Sequence, residues 1–488
     1  MGRSARCGRI AACAVATLLA ACAAGPDYRR PAAQMPAAWT VEAPFRASAP
    51  ADALPKTPWW ERFADPTLTA LETQAVAASP TLAAASARLT QARAQVAAAE
   101  SGLLPSVGLA GRAARVKISK DRPLTNYQSP NFSTVQNDFA AQLTASYEVD
   151  LAGRVRRTIE GARASAEQTA ADLENTRLVL TAELATDYYT LRELDIELDV
   201  LARSIALQRR SLDLATARHD LGATSGLDVA GQQALLDSTL TQVDVLHRQR
   251  TQFEHAIATL TGTPAPVFSI APNVRELLPP AVPIGVPSDV LERRPDVASA
   301  ERAMAAANAQ IGVATAAFYP SITLGPAYGL EATSLASLFT ASSLLWSIGV
   351  SIAQPLIDSG RLAANLDFAR GGYELALANY QRVVLTAMQE VEDGITGLAA
   401  LERASDQANA AIASAARVLD LATARYEGGV ATYLDVITAQ QSLLNSERLA
   451  AQLRGQRLLT AVFLVKALGG DWGGASSLAA NAAAPAAR

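Results

Sequence analysis

Cysteine and histidine are scarce in this sequence, with three of each among 488 residues. Disulfide frameworks, zinc sites and cysteine nucleophiles need clusters that so few side chains do not supply. His247 and His255 lie on one predicted helix without a cysteine or carboxylate cluster around them, and His219 stands apart from both. We therefore expect solvent-facing histidines and predict neither a metal site nor a cofactor.

The motifs of common enzymes are also missing. No glycine loop of the phosphate-binding type occurs, and the segment GATSG, which begins at Gly222, lacks the central serine of a nucleophile elbow. The formal net charge of −4 and the absence of a dense basic run argue against nucleic acid as a partner. We predict a protein without enzymatic activity.

Aromatic residues make up only 5% of the chain, and proline is absent between Pro130 and Pro264 and again between Pro355 and Pro485. Half of the residues are apolar, and alanine supplies much of that fraction. Alanine-rich segments without proline are typical of long helices. Beyond the N-terminal leader, no apolar run is long enough for a transmembrane helix.

The first residues have the features of an export signal, because arginines precede a short apolar core that ends in small residues. The sequence LAAC, which ends at Cys22, matches the bacterial lipobox, in which the cysteine thiol is acylated and the cysteine becomes the first residue. Cys22 is the predicted lipidation site, and cleavage before it would remove Cys7 and Cys13. Ordinary secretory cleavage at the Ala-x-Ala sequence from Ala21 to Ala23 is the alternative.

The segment LDLATAR occurs twice, as Leu212–Arg218 and as Leu419–Arg425. A second pair of segments, Ala85–Ala110 and Ala300–Gly325, aligns without gaps. A repeat of roughly 200 residues is too long for a solenoid and predicts two homologous halves with the same architecture.

We divide the chain on this basis. The predicted halves are residues 61–262 and 288–470, and a proline-rich linker at 263–287 separates them. The other predicted segments are a signal peptide at 1–21, an extended lipid-anchored segment at 22–60 and a flexible Ala/Gly-rich tail at 471–488.

Each half is predicted to contain, in order, a helix, two strands, a very long helix, a turn and a helix. The first long helix should run from Arg154 to Leu221, a length of roughly 100 Å at 1.5 Å per residue. Heptad spacing predicts a buried stripe on this helix: Leu184, Leu191, Leu198, Ile205 and Leu212. A second stripe begins at Val200 and continues through Leu207 and Leu214, so we expect neighbours on two sides, as for a stave in a barrel.

Apolar and polar residues alternate in the segments before the long helices, at Asp138–Val149 and Trp346–Gln354. Weaker partners lie at Ser106–Ile118 and Ser321–Tyr328. Strands of about ten residues, apolar outward and small or polar inward, are typical of transmembrane β-barrels, although an ordinary half-buried hairpin is the alternative for any one strand. Because four strands cannot close a barrel and an open edge cannot face lipid, we predict that three copies supply about twelve strands.

Several motifs together resemble one family. They are CAAGPDYRRP after the lipobox, WWERFADPTL, LERRPDV, FYPSITL and a repeated turn in which arginine, glycine and Leu-Asp-Val keep the same spacing. The two turns span Arg218 to Val229 and Arg425 to Val436. The chain resembles the outer-membrane factors of tripartite efflux systems, the TolC- and OprM-like channels, especially the NodT-type lipoprotein branch. The resemblance extends from Cys22 to about Gly470.

This resemblance implies a mainly α fold with a membrane β-barrel, in which a trimeric twelve-stranded barrel continues into a long α-helical barrel. It implies a homotrimer in the outer membrane, lipid-anchored and extending into the periplasm, with the linker in an equatorial region. The implied partners are outer-membrane lipid, a periplasmic adaptor and an inner-membrane transporter of the RND type. The implied function is a passive exit duct for drugs or other toxic small molecules.

The resemblance also assigns roles to the two turns. It places the periplasmic gate at Tyr426, Leu434, Asp435, Leu227 and Asp228. It places the adaptor-docking tips at Arg218, Gly222, Arg425 and Gly429. The two glycines suit tight helix ends with positive φ. The alternative role for the two aspartates is stabilisation of a helix N-terminus.

The chain departs from the family pattern at two positions near the turns. His219 replaces the tyrosine found in the second half, and Thr438 lies where many members have another acid. The family resemblance implies that Tyr426 helps to hold neighbouring hairpins together and that a second ring of acidic residues lies near the gate. These two departures bear on both expectations. Two other functions compete with efflux: the exit duct of a type I protein secretion system and a non-conducting structural periplasmic lipoprotein. The sequence names neither the substrate, nor the adaptor, nor the class of pump, for which ABC and MFS transporters remain open besides RND.

Overall fold

The structure is a computed structural model that describes residues 24–30, 58–119, 134–275, 278–280 and 293–470. The predicted signal peptide, the lipidation site Cys22, part of the linker and the tail lie outside the described residues. The chain divides into two compact units. One comprises residues up to Pro31 with Leu89–Thr169 and Ala300–Tyr380, and the other comprises Ala32–Arg88, Ala170–Ser299 and the residues from Gln381 onward.

The first unit contains an antiparallel sheet. Its strands are β1 (Ser106–Ile118), β2 (Thr134–Val149), β3 (Ser321–Leu324), β4 (Ala327–Ala332), β5 (Leu344–Ser347) and β6 (Val350–Ala353). Strand β1 pairs along its whole length with residues 134–146 of β2. The other edge of β2 pairs with β4 and β3, while β5 pairs with β4 and β6 pairs with β3. The prediction of a strand at Ser106–Ile118 is therefore confirmed, and the second predicted strand begins earlier, at Thr134.

Two strands that were predicted to be continuous are each divided into two shorter strands, so these two predictions are wrong. The strand predicted at Ser321–Tyr328 ends at Leu324 and resumes at Ala327, because Pro326 has no backbone N–H for the ladder. The Pro326 carbonyl instead accepts a hydrogen bond of 2.9 Å from the Ala145 N–H.

The strand predicted at Trp346–Gln354 is interrupted opposite the break at Pro326. Strand β5 ends at Ser347 and β6 begins at Val350, and the Gly349 carbonyl accepts a 3.0 Å hydrogen bond from the Gly325 N–H. The two breaks face each other across this hydrogen bond, and the six strands therefore follow four paths through the sheet, two of them interrupted. Apolar side chains on these paths are exposed, including Leu109 at 78% and Trp346 at 68%.

Seven long helices account for most of the described chain. They are α1 (Pro66–Ala78), α2 (Pro80–Glu100), α3 (Arg154–Asp220), α4 (Gly226–Leu260), α5 (Pro295–Ala316), α6 (Arg361–Glu427) and α7 (Tyr433–Ala467). The predicted long helix from Arg154 is confirmed and ends one residue earlier than expected; it and α6 have 67 residues each. Within the described residues, none of the helices is both apolar and long enough to cross a bilayer.

The core of the second unit confirms one heptad stripe. Leu184 and Leu191 are fully buried, and Leu198 is partly buried against Leu201 and its neighbours. The second stripe is buried at Val200 but exposed at Leu207 and Leu214.

Trp59 and Trp60 pack onto the helices of the second unit. Trp59 contacts Phe63 edge to face, with ring centroids 5.9 Å apart, and its Nε1–H donates a 3.2 Å hydrogen bond to Thr181 Oγ1. Trp60 packs against the same core from a partly buried position. The two residues hold the segment before α1 against α3.

Candidate functional site: two turn hairpins

Two hairpins with closely similar backbones lie in the second unit. The first hairpin is the end of α3, the turn at 221–225 and the start of α4; the second is the end of α6, the turn at 428–432 and the start of α7. Gly222 and Gly429 have φ of +72° and +76°. The prediction of positive φ at both glycines is confirmed.

The same pair of hydrogen bonds closes both long helices. The Ala223 N–H donates to the Arg218 carbonyl at 2.8 Å, and the Val430 N–H donates to the Arg425 carbonyl at 2.9 Å. The Gly222 N–H donates to the His219 carbonyl at 2.8 Å, and the Gly429 N–H donates to the Tyr426 carbonyl at 3.0 Å. This is the Schellman arrangement, which satisfies carbonyls at a helix end and requires a residue in the left-handed region.

The two aspartates stabilise the helices that follow the turns. Asp435 Oδ2 accepts hydrogen bonds from the Thr432 N–H at 3.0 Å and from its hydroxyl at 2.9 Å, which completes a capping box. The Asp228 carboxylate accepts a hydrogen bond from the Thr224 hydroxyl. The structure thus gives both carboxylates the helix-terminal role considered as the alternative, and their role in a gate stays a prediction.

The leucines beside these aspartates project into solvent. Leu227 is 78% exposed and Leu434 is 67% exposed. Neither side chain contributes to the core of its own chain, so burial within the chain does not explain an apolar residue at either position. Thr438, one turn further along α7, donates its hydroxyl to the Leu434 carbonyl at 2.8 Å.

An aromatic cluster joins the second hairpin to the first. The rings of Tyr426 and Tyr433 have centroids 4.9 Å apart, and both residues are buried together with Ala215 of α3. The Arg218 guanidinium of the first hairpin lies 4.8 Å from the centroid of the Tyr426 ring. The structure therefore brings together two predicted residues, Tyr426 and Arg218, through a cation–π contact.

Tyr433 takes part in a buried polar network that sequence reasoning missed. Its hydroxyl lies 3.1 Å from Gln232 Oε1 and 3.2 Å from the Ser211 carbonyl, and burial raises the pKa of Tyr433 to about 12. Gln232 Nε2 donates to the Gln208 carbonyl at 3.1 Å and to Gln440 Oε1 at 3.3 Å. Glutamines in otherwise apolar helix faces are a weak signal for such a network, because most lie in solvent.

The network connects three helices. Gln440 Nε2 of α7 donates to Ser211 Oγ of α3 at 2.8 Å, while Gln232 belongs to α4. Gln232 is fully buried and Gln440 is 3% exposed. Buried amides that lose a partner cost more than an ordinary hydrogen bond provides, so these contacts hold the helix ends in one arrangement.

A groove of about 330 Å³ lies beside the cluster. Its walls include Leu207 and Leu214 of α3, Leu419 of α6, and the rings of Tyr426 and Tyr433. The exposed part of the second heptad stripe therefore continues into the groove next to the second turn. Its lining also includes polar and charged residues, among them Asp420 and Glu427, so the groove is a mixed surface beside the second turn.

The first hairpin lacks the two aromatic residues of the second. His219 stands where the second hairpin has Tyr426, and its Nδ1 lies 3.0 Å from the Thr224 carbonyl across the turn. Gly226 stands where the second hairpin has Tyr433. Arg425, the counterpart of Arg218, is exposed.

Similarity to known proteins extends over almost the whole chain. The model of the family described as "Outer membrane efflux protein" matches residues 71–263 and 286–470. The pyoverdine export outer membrane protein OpmQ of Pseudomonas aeruginosa is 31% identical over 456 residues, which cover 93% of this chain and 95% of that protein. The toluene efflux pump outer membrane protein TtgF of Pseudomonas putida is 31% identical over 473 residues, 95% of this chain and 97% of that protein. The solved structure of the outer-membrane channel OprN covers 92% of this chain and 100% of its own, with a TM-score of 0.85 and 29% identity.

Proposed function

This chain belongs to the outer membrane efflux protein family, and we propose on that premise that it is the outer-membrane channel subunit of a tripartite efflux pump of the RND type. The channel is a passive exit duct for toxic small molecules, opened by a periplasmic adaptor and an inner-membrane transporter. The observation that carries the proposal is the pair of matched hairpins at the ends of two 67-residue helices. The two turns have closely similar backbones, and each lies at the end of a long helix. This arrangement suits the tip of a channel that contacts several equivalent surfaces of a partner.

The subunit works as a homotrimer in this proposal. One chain has four strand paths whose apolar side chains are exposed, and an open sheet edge is unfavourable in lipid because its backbone groups have no partner. Three copies pairing edge to edge would give twelve strands and put residues such as Leu109 and Trp346 against outer-membrane lipid. Acylation at Cys22 adds a second anchor.

We propose the division of the chain into two homologous halves, 61–262 and 288–470, with the linker 263–287 in the equatorial region. The two matches of the family model, at 71–263 and 286–470, support this division. Residues 1–21 act as a signal peptide, 22–60 as the lipid-anchored segment and 471–488 as a tail.

The hairpins form the docking tips and the gate. Arg218, Gly222, Arg425 and Gly429 shape the six tips of a trimer, and the adaptor packs against the tips and the groove beside the second turn. Leu227 and Leu434 narrow the closed end as apolar rings, and Asp228 and Asp435 favour cations there. The exposure of both leucines supports this role, because an apolar ring gains its burial from neighbouring copies.

Small molecules are the proposed cargo. The relatives named above are a pyoverdine export protein and a toluene efflux protein, and both names refer to compounds of low molecular weight. This supports efflux over protein secretion for the present chain.

Single-channel recording of the purified protein in planar bilayers tests the proposal. We expect stepwise conductance, a native mass of three subunits and an acylated N-terminus at Cys22. A Cys22→Ser variant should lose the acyl mass while its channel activity in detergent-reconstituted bilayers persists. A protein that never conducts, or that is a stable monomer with its full β content, would contradict the channel. In cells, deletion of the gene should increase sensitivity to toxic small molecules without blocking secretion of a protein.

A further inference from the structure

The sheet of the first unit has two unlike faces. One row of paired residues crosses four strands and contains only large apolar or aromatic side chains, each at least half exposed: Leu109, Leu143, Tyr328 and Trp346. Successive side chains of a strand point to opposite faces, so the next row belongs to the other face. That row contains small or polar residues: Gly108, Thr144, Ala327 and Ser347. We refer to these as the apolar face and the polar face.

The charged residues of the strands are divided unequally between the two faces. In the described strands there are three acidic residues, and the pairing register places all of them on the polar face: Asp138, Glu148 and Glu331. There are also three basic residues, of which Arg112 lies on the polar face, whereas Arg115 and Lys117 lie on the apolar face. The polar face therefore has an excess of negative charge.

Three of these charges lie at one level of the sheet. Arg112 and Glu331 belong to the same row, one on each side of Ala140. Because neighbouring strands are about 4.8 Å apart, the backbones of Arg112 and Glu331 are roughly 10 Å apart. The Arg112 guanidinium forms an ion pair with Asp138, the next residue of β2 on the polar face. Glu148 lies ten positions further along β2 and is paired with Arg154 at 2.5 Å.

The ion pair has an outer and an inner member. The Arg112 side chain is 62% exposed, whereas Asp138 is 7% exposed. Asp138 Oδ1 is buried and has no hydrogen-bond partner among the described residues. The buried carboxylate thus holds the guanidinium at the surface of the polar face, where Glu331 is exposed as well. One positive and two negative charges leave each chain with a net charge of −1 at this level.

We propose that Arg112, Asp138 and Glu331 form a charged band on the inner wall of the strand region, which favours cationic over anionic solutes. The inference rests on the proposed trimeric channel, in which the apolar face contacts lipid and the polar face lines a water-filled lumen. Three copies bring three such groups around one axis. A wall with an excess of one sign of charge concentrates counter-ions and repels ions of its own sign. The band belongs to the first unit, whereas the aspartates of the two hairpins belong to the second.

Thiol modification of the full-length protein in proteoliposomes measures the local potential without a transport assay. Ala110 and Ala113 are matched reporter positions, because both are exposed alanines of β1 and they lie on the polar and the apolar face, respectively. We would replace each by cysteine and treat it with a cationic and an anionic methanethiosulfonate, with the wild-type protein in parallel. The thiol at position 110 should react faster than the thiol at position 113. Relative to a small free thiol, it should also prefer the cationic reagent.

Charge variants of the position-110 reporter test which residues set this preference. Glu331→Gln should lower the ratio of cationic to anionic reaction rates about threefold, and Asp138→Asn, which leaves the charge of Arg112 uncompensated, should lower it similarly. Arg112→Gln should raise the ratio, and the double variant Arg112→Gln with Asp138→Asn should return it to the wild-type value. Arg115→Gln, on the apolar face, is the control and should leave it unchanged. In 1 M salt, where the Debye length is about 3 Å, these differences should largely disappear.

The outcomes separate this inference from the proposed function. A ratio that Glu331→Gln and Asp138→Asn leave unchanged overturns the charged band, even in a trimer that conducts. Glu331→Gln alters an exposed side chain, so its result does not depend on the stability of the buried pair. Equal reaction rates at positions 110 and 113 overturn the assignment of the two faces, and the band with it. The expected ratios in a protein that never conducts contradict the proposed conduction and support the band.

Discussion

The two turn hairpins share a backbone and differ in their side chains. Both have a glycine with positive φ, the same Schellman hydrogen bonds and an aspartate in the first turn of the next helix. In the second hairpin Tyr426 and Tyr433 are buried, whereas the first hairpin has His219 and Gly226 at those positions. The turn residues determine the path of the chain, and the aromatic residues determine how firmly each hairpin is held.

This difference makes the second hairpin dependent on the first. Arg218 of the first hairpin lies over the Tyr426 ring, and Gln232 of α4 lies within hydrogen-bonding distance of the Tyr433 hydroxyl. The first hairpin makes its own closing contact within its turn, from His219 to the Thr224 carbonyl. We infer that the two hairpins are not equivalent, although they share the LDLATAR segment and the spacing of the turn.

The largest expected effect on stability is that of Tyr433→Ala. The change removes a buried ring and leaves Gln232 without one of its partners, so the free energy of unfolding should fall by about 3–5 kcal/mol, as for other buried aromatic residues. Denaturant titration of the purified protein measures it. Tyr433→Phe keeps the ring but leaves the buried Gln232 Oε1 without its donor, so it should cost about 1–3 kcal/mol. Equal stability of the alanine variant and the wild type would mean that the cluster does not hold the hairpin.

The next largest effect on stability is expected when a residue of the second hairpin is replaced by its counterpart in the first. Tyr426→His replaces the phenol ring beneath Arg218 by a smaller and more polar imidazole and should cost about 1–3 kcal/mol. The reverse change, His219→Tyr, lies on an exposed part of the first turn and should have little effect. A double-mutant cycle of Tyr426→His with Arg218→Met isolates the pair, and a coupling energy near zero would refute the cation–π contact.

The glycines should behave alike in the two hairpins. An alanine in the left-handed region costs about 1–2 kcal/mol, so Gly222→Ala and Gly429→Ala should destabilise the protein by similar amounts. No atom of a neighbouring residue would lie within 4 Å of the new Cβ at either position, so the cost is conformational. Gly428→Ala, whose backbone lacks a positive φ, is the control and should be nearly neutral. A large difference between the two variants would show that the turns are under different strain.

Substitution of the two aspartates by asparagine should reduce stability by slightly different amounts. Asp435→Asn weakens a capping box and the interaction with the helix dipole, at a cost of about 0.5–1 kcal/mol. Asp228→Asn disturbs a contact with one threonine hydroxyl and should cost less. In bilayers both changes should reduce cation preference if the carboxylates lie in the gate. Unchanged ion preference together with reduced stability would leave these residues the helix-capping role alone.

The leucines should have the smallest effect on stability and a clear effect on conductance. Within one subunit Leu227 and Leu434 are exposed, so replacement of either by alanine removes little buried area there and should reduce stability less than the changes above. If they form the closed rings, Leu434→Ala should increase the basal conductance of the reconstituted channel. Leu421→Ala, an exposed leucine on α6 away from the turn, is the control. A basal conductance equal to that of the control places the constriction elsewhere.

Local patterns predicted the long elements and the turns. The long helix from Arg154, the strand at Ser106–Ile118 and the positive φ of Gly222 and Gly429 are all confirmed. Each depends on residues close together in sequence: the absence of proline, heptad spacing, alternation along a strand, or a glycine after a helix end. The strand breaks at Pro326 and Gly349 were missed because the alternation of apolar residues continues across them.

The sequence by itself determined the long helix from Arg154, the turn geometry and the family to which the motifs point, because neighbouring residues encode these features. Only the tertiary structure decided the partners of those elements. It paired Arg218 with Tyr426, placed Gln232 against Gln440 and formed a cavity beside Trp60. The two members of each pair lie about two hundred positions apart in sequence, and packing of long helices against one another, rather than any local preference, brings such residues together.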